Sequence, residues 1–224
     1  DKSFSLKGSV VTALDGPQFT ITLTEVLRIN AIKRSGERGG DGIATYFTFG
    51  ANSLQDVAEN PNVPNALLQP EEFPDVIPPQ IHNASIDYGT GVLTLIFSEI
   101  VKYDLINTSL VSVFNDTNGP SVVLSDATLI TSADSLSIEI QLKEPQRANI
   151  LRFSGTPGGD GSVPYISIGP NAATDIGLMS VIAEQVLPIK EIPDTVRPYM
   201  VNASIEYGTG KVTFLSSETL NLKP

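Results

Sequence analysis

The nine residues Asn83-Ala84-Ser85-Ile86-Asp87-Tyr88-Gly89-Thr90-Gly91 return 119 positions later as Asn202-Ala203-Ser204-Ile205-Glu206-Tyr207-Gly208-Thr209-Gly210, with one conservative change. The same offset carries Ser35-Gly36 onto Ser154-Gly155, Gly39-Gly40-Asp41-Gly42 onto Gly158-Gly159-Asp160-Gly161, and Pro74-Asp75 onto Pro193-Asp194. Arg28, Asn30, Tyr46, Gly50, Asn52 and Asp56 likewise find Arg147, Asn149, Tyr165, Gly169, Asn171 and Asp175. Agreement at a single offset over such a span marks a tandem module, long enough to bury a core of its own.

The phase of the repeat sets the expected domain organisation. A module that begins in the Pro-rich stretch 73–79 ends in its copy at 192–198, so residues 77–195 read as one complete module. Residues 1–76 then correspond to the last two thirds of a module and residues 196–224 to its first quarter. Together the two ends lack only the counterpart of residues 106–119, and they look like complementary parts of one module. Closure within one chain is awkward, because a complete module stands between the parts. The alternatives join residues 196–224 to residues 1–76 of the next unit, either as a separate chain donating strands or as a continuing polypeptide. Both give an open head-to-tail array, and open heterologous contacts build filaments. In that reading Ile205, Val212 and Phe214 are the residues that enter the neighbour's core. The start at Asp1, not Met, leads us to expect a processed or excerpted piece of a larger product.

Periodicity predicts strands. Phe19, Ile21 and Leu23 alternate with Thr, and Leu136, Ile138, Ile140 and Leu142 alternate with polar residues, the period of two of a half-buried strand. Further strands are expected over 43–49, 81–88, 92–97, 110–114 and 163–168, with Tyr88-Gly89-Thr90-Gly91 joining two of them as a hairpin. Helical turns are expected only over 25–33, its copy 144–152, and 53–59. Short strands punctuated by 18 Gly and 16 Pro in a module of this length indicate an all-β fold of tandem antiparallel sandwiches, one complete and one split between the chain ends. With no Cys and no Trp, cohesion has to come from Val, Ile, Leu, Phe and Tyr packing.

Thr94-Leu95-Ile96-Phe97-Ser98-Glu99, after a Pro-Pro linker and a Gly-containing hairpin, and the late stretch Ser53-Leu54-Gln55-Asp56-Val57-Ala58-Glu59-Asn60 resemble the bacterial-type Ig-like tandem repeats of large surface, adhesion or fibre-forming proteins. Such repeats carry an Ile/Leu-x-Phe-Ser-Glu strand and a late Asp-x-Ala-Gly-Asn turn. This chain departs at Glu59, where the family usually has Gly, and at Gly177-Leu178-Met179 in the second copy. The resemblance implies an extracellular Ig-like sandwich serving as a structural or adhesive spacer.

Composition narrows the chemistry. With 14 Lys plus Arg against 25 Asp plus Glu, the formal charge is −11, which disfavours nucleic acid and favours cations or cationic surfaces. The absence of Cys and the single His82 exclude thiol nucleophiles and multi-His metal centres. No apolar run approaches the roughly 18–20 residues of a membrane span. The Gly39–Gly42 motif lacks the Lys-Ser/Thr of a phosphate loop and reads as a tight turn. Calcium is the candidate cation. Asp75 and Asp194 in the linkers and Glu99 and Glu218 at strand ends are its candidate ligands, with Asp41, Asp56, Asp160 and Asp175 in loops. N-glycan acceptor triplets begin at Asn83, Asn107, Asn115 and Asn202. Carboxylates that recur once per module do not suit an active site. The expectation is a non-enzymatic, extracellular or cell-surface protein needing no cofactor, whose units join head to tail as a fibre or stalk. Its partners are copies of itself, with glycans or a cell surface as further contacts. The alternative is a carbohydrate- or surface-binding module of a larger adhesin, which would want the exposed aromatic platform that 7% aromatics and no Trp make hard to build. A hydrolase of paired carboxylates ranks third.

Overall fold

A computed structural model of the chain describes residues 3–12, 15–115 and 119–222. The first third holds two small ribbons and a helix: β1 (Val10–Thr12) pairs β2 (Thr20–Thr22), α1 (Glu25–Ile32) follows, and β3 (Phe47–Phe49) pairs β4 (Asn65–Leu68). The middle contains β5 (Ile81–Asp87), β6 (Val92–Val101), β7 (Val111–Phe114), β8 (Ser121–Val123), β9 (Thr128–Leu129), β10 (Ser135–Gln141), α2 (Glu144–Leu151), β11 (Tyr165–Ile168), β12 (Gln185–Pro188) and β13 (Lys190–Ile192). The chain ends in a hairpin of β14 (Met200–Glu206) and β15 (Lys211–Ser216). The fold is thus mostly β, and among the described residues no helix is long and apolar enough to cross a membrane.

In the middle segment the strands form a five-stranded sheet, β13-β5-β6-β10-β9, and a four-stranded sheet, β12-β11-β7-β8. All pairings are antiparallel except β13 with β5. Alternation along β6 puts Leu93, Leu95, Phe97 and Val101 inside, and Glu99 occupies the same inward phase. Both sheets feed one buried cluster, to which Leu93, Leu95, Ile138 and Ile140 come from the larger sheet and Val111, Val113, Ile166 and Ile168 from the smaller. Every buried hydrophobic residue among those described, Ile29 apart, lies between Ile81 and Ile189.

The two helices have local causes. Thr24 caps α1, its hydroxyl accepting from Leu27 N at 3.4 Å, and Glu25 places a negative charge in the first turn. In α2 the side chain of Gln146 accepts from Lys143 N at 3.0 Å, and Pro145 sits in the first turn, where its missing N–H costs nothing. The helical turn expected over 53–59 does not form. Asp56 Oδ1 instead accepts from the backbone N of Ala58 and of Asn60, both at 2.9 Å, and a bridge joins Gln55 to Pro61. A carboxylate that captures nearby backbone donors competes with helix formation. Glu59 takes a left-handed φ of 67° and its copy Leu178 one of 61°, at the position where the resembling family has Gly. The strands expected over 43–49 and 163–168 are shorter, starting at Phe47 and Tyr165. Gly39 and Gly42, with φ of +88° and +80°, make the tight turn that the motif suggested.

The unequal burial has a measurable consequence. Leu95→Ala removes a side chain that is 1% exposed and should destabilise the isolated chain by about 2–5 kcal/mol, whereas its repeat counterpart Phe214→Ala should change stability in dilute solution by no more than about 0.5 kcal/mol. Urea unfolding of the two variants checks this. Equal losses would mean that β14–β15 is packed within its own chain.

Candidate functional site

Nearly identical sequence meets opposite environments in the two hairpins. In β5–β6, Ile86, Tyr88 and Leu93 are 0% exposed and Leu95 is 1% exposed, while the matching Ile205, Tyr207, Val212 and Phe214 of β14–β15 are 51%, 87%, 49% and 66% exposed. The internal geometry is the same. Ala84 lies opposite Leu95 and Ala203 opposite Phe214, both ladders shift register at the same repeat position, and Gly91 and Gly210 close the turns at φ +71° and +70°. The outer edges differ. β5 is flanked by β13 and β6 by β10, but among the described residues β14 and β15 pair only with each other. Ile205, Val212 and Phe214, expected as strand residues that enter a neighbour, are therefore on a ribbon with an uncovered apolar face and two bare edges.

Residues 1–76 present the reverse. An open cleft of about 1570 Å³ there is lined by Phe19, Ile21, Phe47 and Phe49, among others. Their repeat counterparts Ile138, Ile140, Ile166 and Ile168 are all buried against β5–β6 and the smaller sheet in the middle segment.

A charged clasp joins successive segments and recurs with the repeat. Arg28 on α1 donates Nε and Nη2 to Glu25 at 2.7 and 2.9 Å, Nη1 to Asp75 at 2.6 Å and Nη2 to Glu99 at 2.7 Å. Glu25 also accepts from Ile100 N at 2.8 Å. Arg147 on α2 likewise donates to Glu144 at 2.7 and 3.0 Å, to Asp194 at 2.6 Å and to Glu218 at 3.4 Å, and Glu144 accepts from Thr219 N at 2.7 Å. One bond breaks the symmetry: Arg147 Nη1 also donates to Tyr88 O at 2.7 Å. The counterpart carbonyl is that of Tyr207, and the Arg28 side chain is 32% exposed against 9% for Arg147. Burial pushes the Glu25 carboxyl up, but the Arg28 and Ile100 hydrogen bonds outweigh it and hold the group below the ordinary range. At Glu99 burial wins over Arg28 and lifts the carboxyl to about 7; at Asp175 burial likewise wins, lifting it to about 6.

The expected site residues fall into place as follows. Asp75 and Glu99 converge on Arg28, and Asp194 and Glu218 on Arg147. Asp175, one of the loop candidates, joins Asp75 and Glu99: one carboxylate oxygen from each lies within 4.8 Å of the others. Asp41, Asp56 and Asp160 stay in their turns; Asp160 accepts from Asn115 Nδ2 at 2.8 Å. Asn83, Asn107 and Asn202 are exposed and Asn115 is half-buried, while Asp116 and Thr117 of its triplet lie outside the described residues. The arginines and Glu25 and Glu144 recur at the same offset, but the letters alone assign them no role.

No protein-family model matches the chain, and neither does any curated protein. A crystal structure of the N-terminal part of the bacterial S-layer protein SbsC is similar over 65% of this chain and 36% of that one, at 13% identity and a TM-score of 0.37. The chain thus spans about a third of that structure's length, and the likeness is distant.

The clasp makes stability depend on charge. Arg28→Met leaves Glu25, Asp75 and Glu99 without their common partner and should cost roughly 3 kcal/mol in thermal or urea unfolding. Glu99 and Asp175 bind protons more tightly folded than unfolded. Without divalent cations their contribution therefore grows as pH falls from about 7.5 towards 5, while that of Glu25 is lost below its ordinary value of 4.5. Melting at pH 7.5 and 5 tests the sign; Glu99→Gln, which removes the carboxyl that faces Arg28, Asp175 and Asp75, should flatten the dependence.

Proposed function

We propose that the chain is a structural repeat unit of an extracellular fibre or stalk built from tandem Ig-like β-sandwiches, with residues 77–195 as one complete module. Residues 196–224 of one unit complete residues 1–76 of the next. The observation that carries this reading is the pair of surfaces left open in one chain: a hairpin whose apolar side is bare, and a cleft lined by the counterparts of the residues that cover its twin.

The repeat supplies the register. By analogy with the pairing of β6 to β10, Phe214 of one unit lies opposite Phe19 of the next, Thr213 opposite Thr20, and Val212 opposite Ile21. By analogy with β5 and β13, Ile205 lies beside Glu72. The Tyr88 hydroxyl donates to Glu191 at 2.8 Å, so Tyr207 would donate to Glu72. The Tyr207 carbonyl would fill the place at Arg28 that Tyr88 O fills at Arg147. Burying Ile205, Tyr207, Val212 and Phe214 contributes roughly 1.5–3 kcal/mol each, and pairing both hairpin edges satisfies backbone groups on donor and acceptor alike.

Such a unit works mechanically: Glu25, Asp75 and Glu99 about Arg28, and Glu144, Asp194 and Glu218 about Arg147, form ion pairs that hold one module to the next. Asn83 is exposed on the covered hairpin, so a glycan on Asn202 would remain outside after docking, which suits a secreted fibre. The partners are copies of the same unit, as separate chains or as further repeats of one polypeptide.

Removal of residues 196–224, or Phe214→Asp in the full chain, should leave a folded monomer that forms no filaments by electron microscopy and sediments as one unit, while the unaltered chain associates in a concentration-dependent manner. Filaments from the truncated chain would contradict the proposal.

A further inference from the structure

We propose that the joint between residues 1–76 and the middle segment is a calcium site, with Asp75, Glu99 and Asp175 as its protein ligands. Two independent observations carry it. First, the three carboxylates each offer an oxygen within 4.8 Å of the others, a spacing compatible with ligands about 2.3–2.6 Å from one ion. Secondly, Asp175 is 0% exposed and its Oδ2 has no hydrogen-bond partner among the described residues. A wholly buried carboxylate oxygen without a donor is costly unless a proton or a cation meets it.

The repeat explains how this oxygen came to be free. In the first copy, Asp56 Oδ2 accepts from Asn60 Nδ2 at 3.0 Å, and Oδ1 accepts from the backbone N of Asn60 at 2.9 Å. In the second copy Met179 replaces Asn60. Asp175 Oδ1 keeps the backbone donor, Met179 N at 2.8 Å, but the side-chain amide that would hold Oδ2 is gone. Gly177, where the first copy has Ala58, admits Asp75: a Cβ there would stand 2.6 Å from Asp75 Cβ. Both changes fall on the turn that faces the joint, and both favour three carboxylates meeting.

Charge and ligand type select the ion. Glu25, Asp75, Glu99 and Asp175 are gathered about Arg28, with Arg38 facing Asp175 from the neighbouring loop, so carboxylates outnumber guanidinium groups by two. A divalent cation closes that gap. All candidate donors are oxygens, and an irregular site shared with a guanidinium suits the tolerant coordination of calcium better than the strict octahedron of magnesium. The second joint differs: among the described residues Asp194 and Glu218 meet no third carboxylate, and the counterpart of Asp175, Asp56, is held by Asn60. This proposal concerns the joint within one unit and stands whether or not units exchange strands.

Calorimetric titration of the full chain with calcium chloride tests it, with circular dichroism to check folding. The expected result is one saturable site with a dissociation constant on the order of 10⁻⁴–10⁻³ M. Asp175→Asn should weaken it at least tenfold. Met179→Asn, which keeps every charge and restores the amide donor, should also weaken it at least tenfold, and it decides the matter if Asp175→Asn does not fold. Glu218→Gln at the other joint should bind as the unaltered chain does. No saturable calcium binding, or binding unchanged by Met179→Asn, would overturn the assignment.

Discussion

The structure depends on one burial event: the apolar side of a two-stranded hairpin against the rest of its module. In the middle segment β5–β6 is the centre of the larger sheet, contacting β13 on one edge and β10 on the other, and it supplies Ile86, Tyr88, Leu93 and Leu95 to the buried cluster. Residues 1–76 hold two small ribbons and a helix beside an open cleft, with Ile29 as their buried hydrophobic residue among those described. An apolar surface of this kind has to be covered by something. The proposed head-to-tail assembly follows from placing the matching hairpin at the far end of the same chain.

The clasp around Arg28 and Arg147 sets how successive segments meet. Hydrophobic burial holds each module but has no direction, whereas a guanidinium shared by carboxylates from a helix, a linker and a strand end does. Its recurrence at 119 residues gives both joints the same set of arginine–carboxylate pairs, and the buried Asp175 added at the first joint is what makes a divalent ion useful there.

Much of this was legible in the letters. Period-two alternation located β2 and β10, because half-buried strands impose it, and β6 fell where a further strand was expected. The expectation of a helical turn over 53–59 failed because one side chain, Asp56, captures the local backbone donors, a competition that periodicity does not register. The clasp was harder to see. Its arginines reach carboxylates up to 71 positions away, Arg28 to Glu99, so only their joint recurrence could reveal it. Glu99 did leave a signal: it stands in phase with Leu93, Leu95 and Phe97 on the apolar side of β6, where a carboxylate requires a partner. The free oxygen of Asp175 was foreshadowed only by the change of Asn60 to Met179, which carries meaning once the bond it removes is known.

The most direct measurement is a cross-link between units. The chain contains no Cys, so Thr20→Cys with Thr213→Cys introduces one defined pair at positions that the repeat places opposite each other across adjoining units. On oxidation, denaturing electrophoresis without reductant should show a ladder of multiples of the 23.9 kDa unit, with no ladder for Thr22→Cys paired with Thr213→Cys. A chain that stays monomeric after oxidation would contradict strand exchange between units.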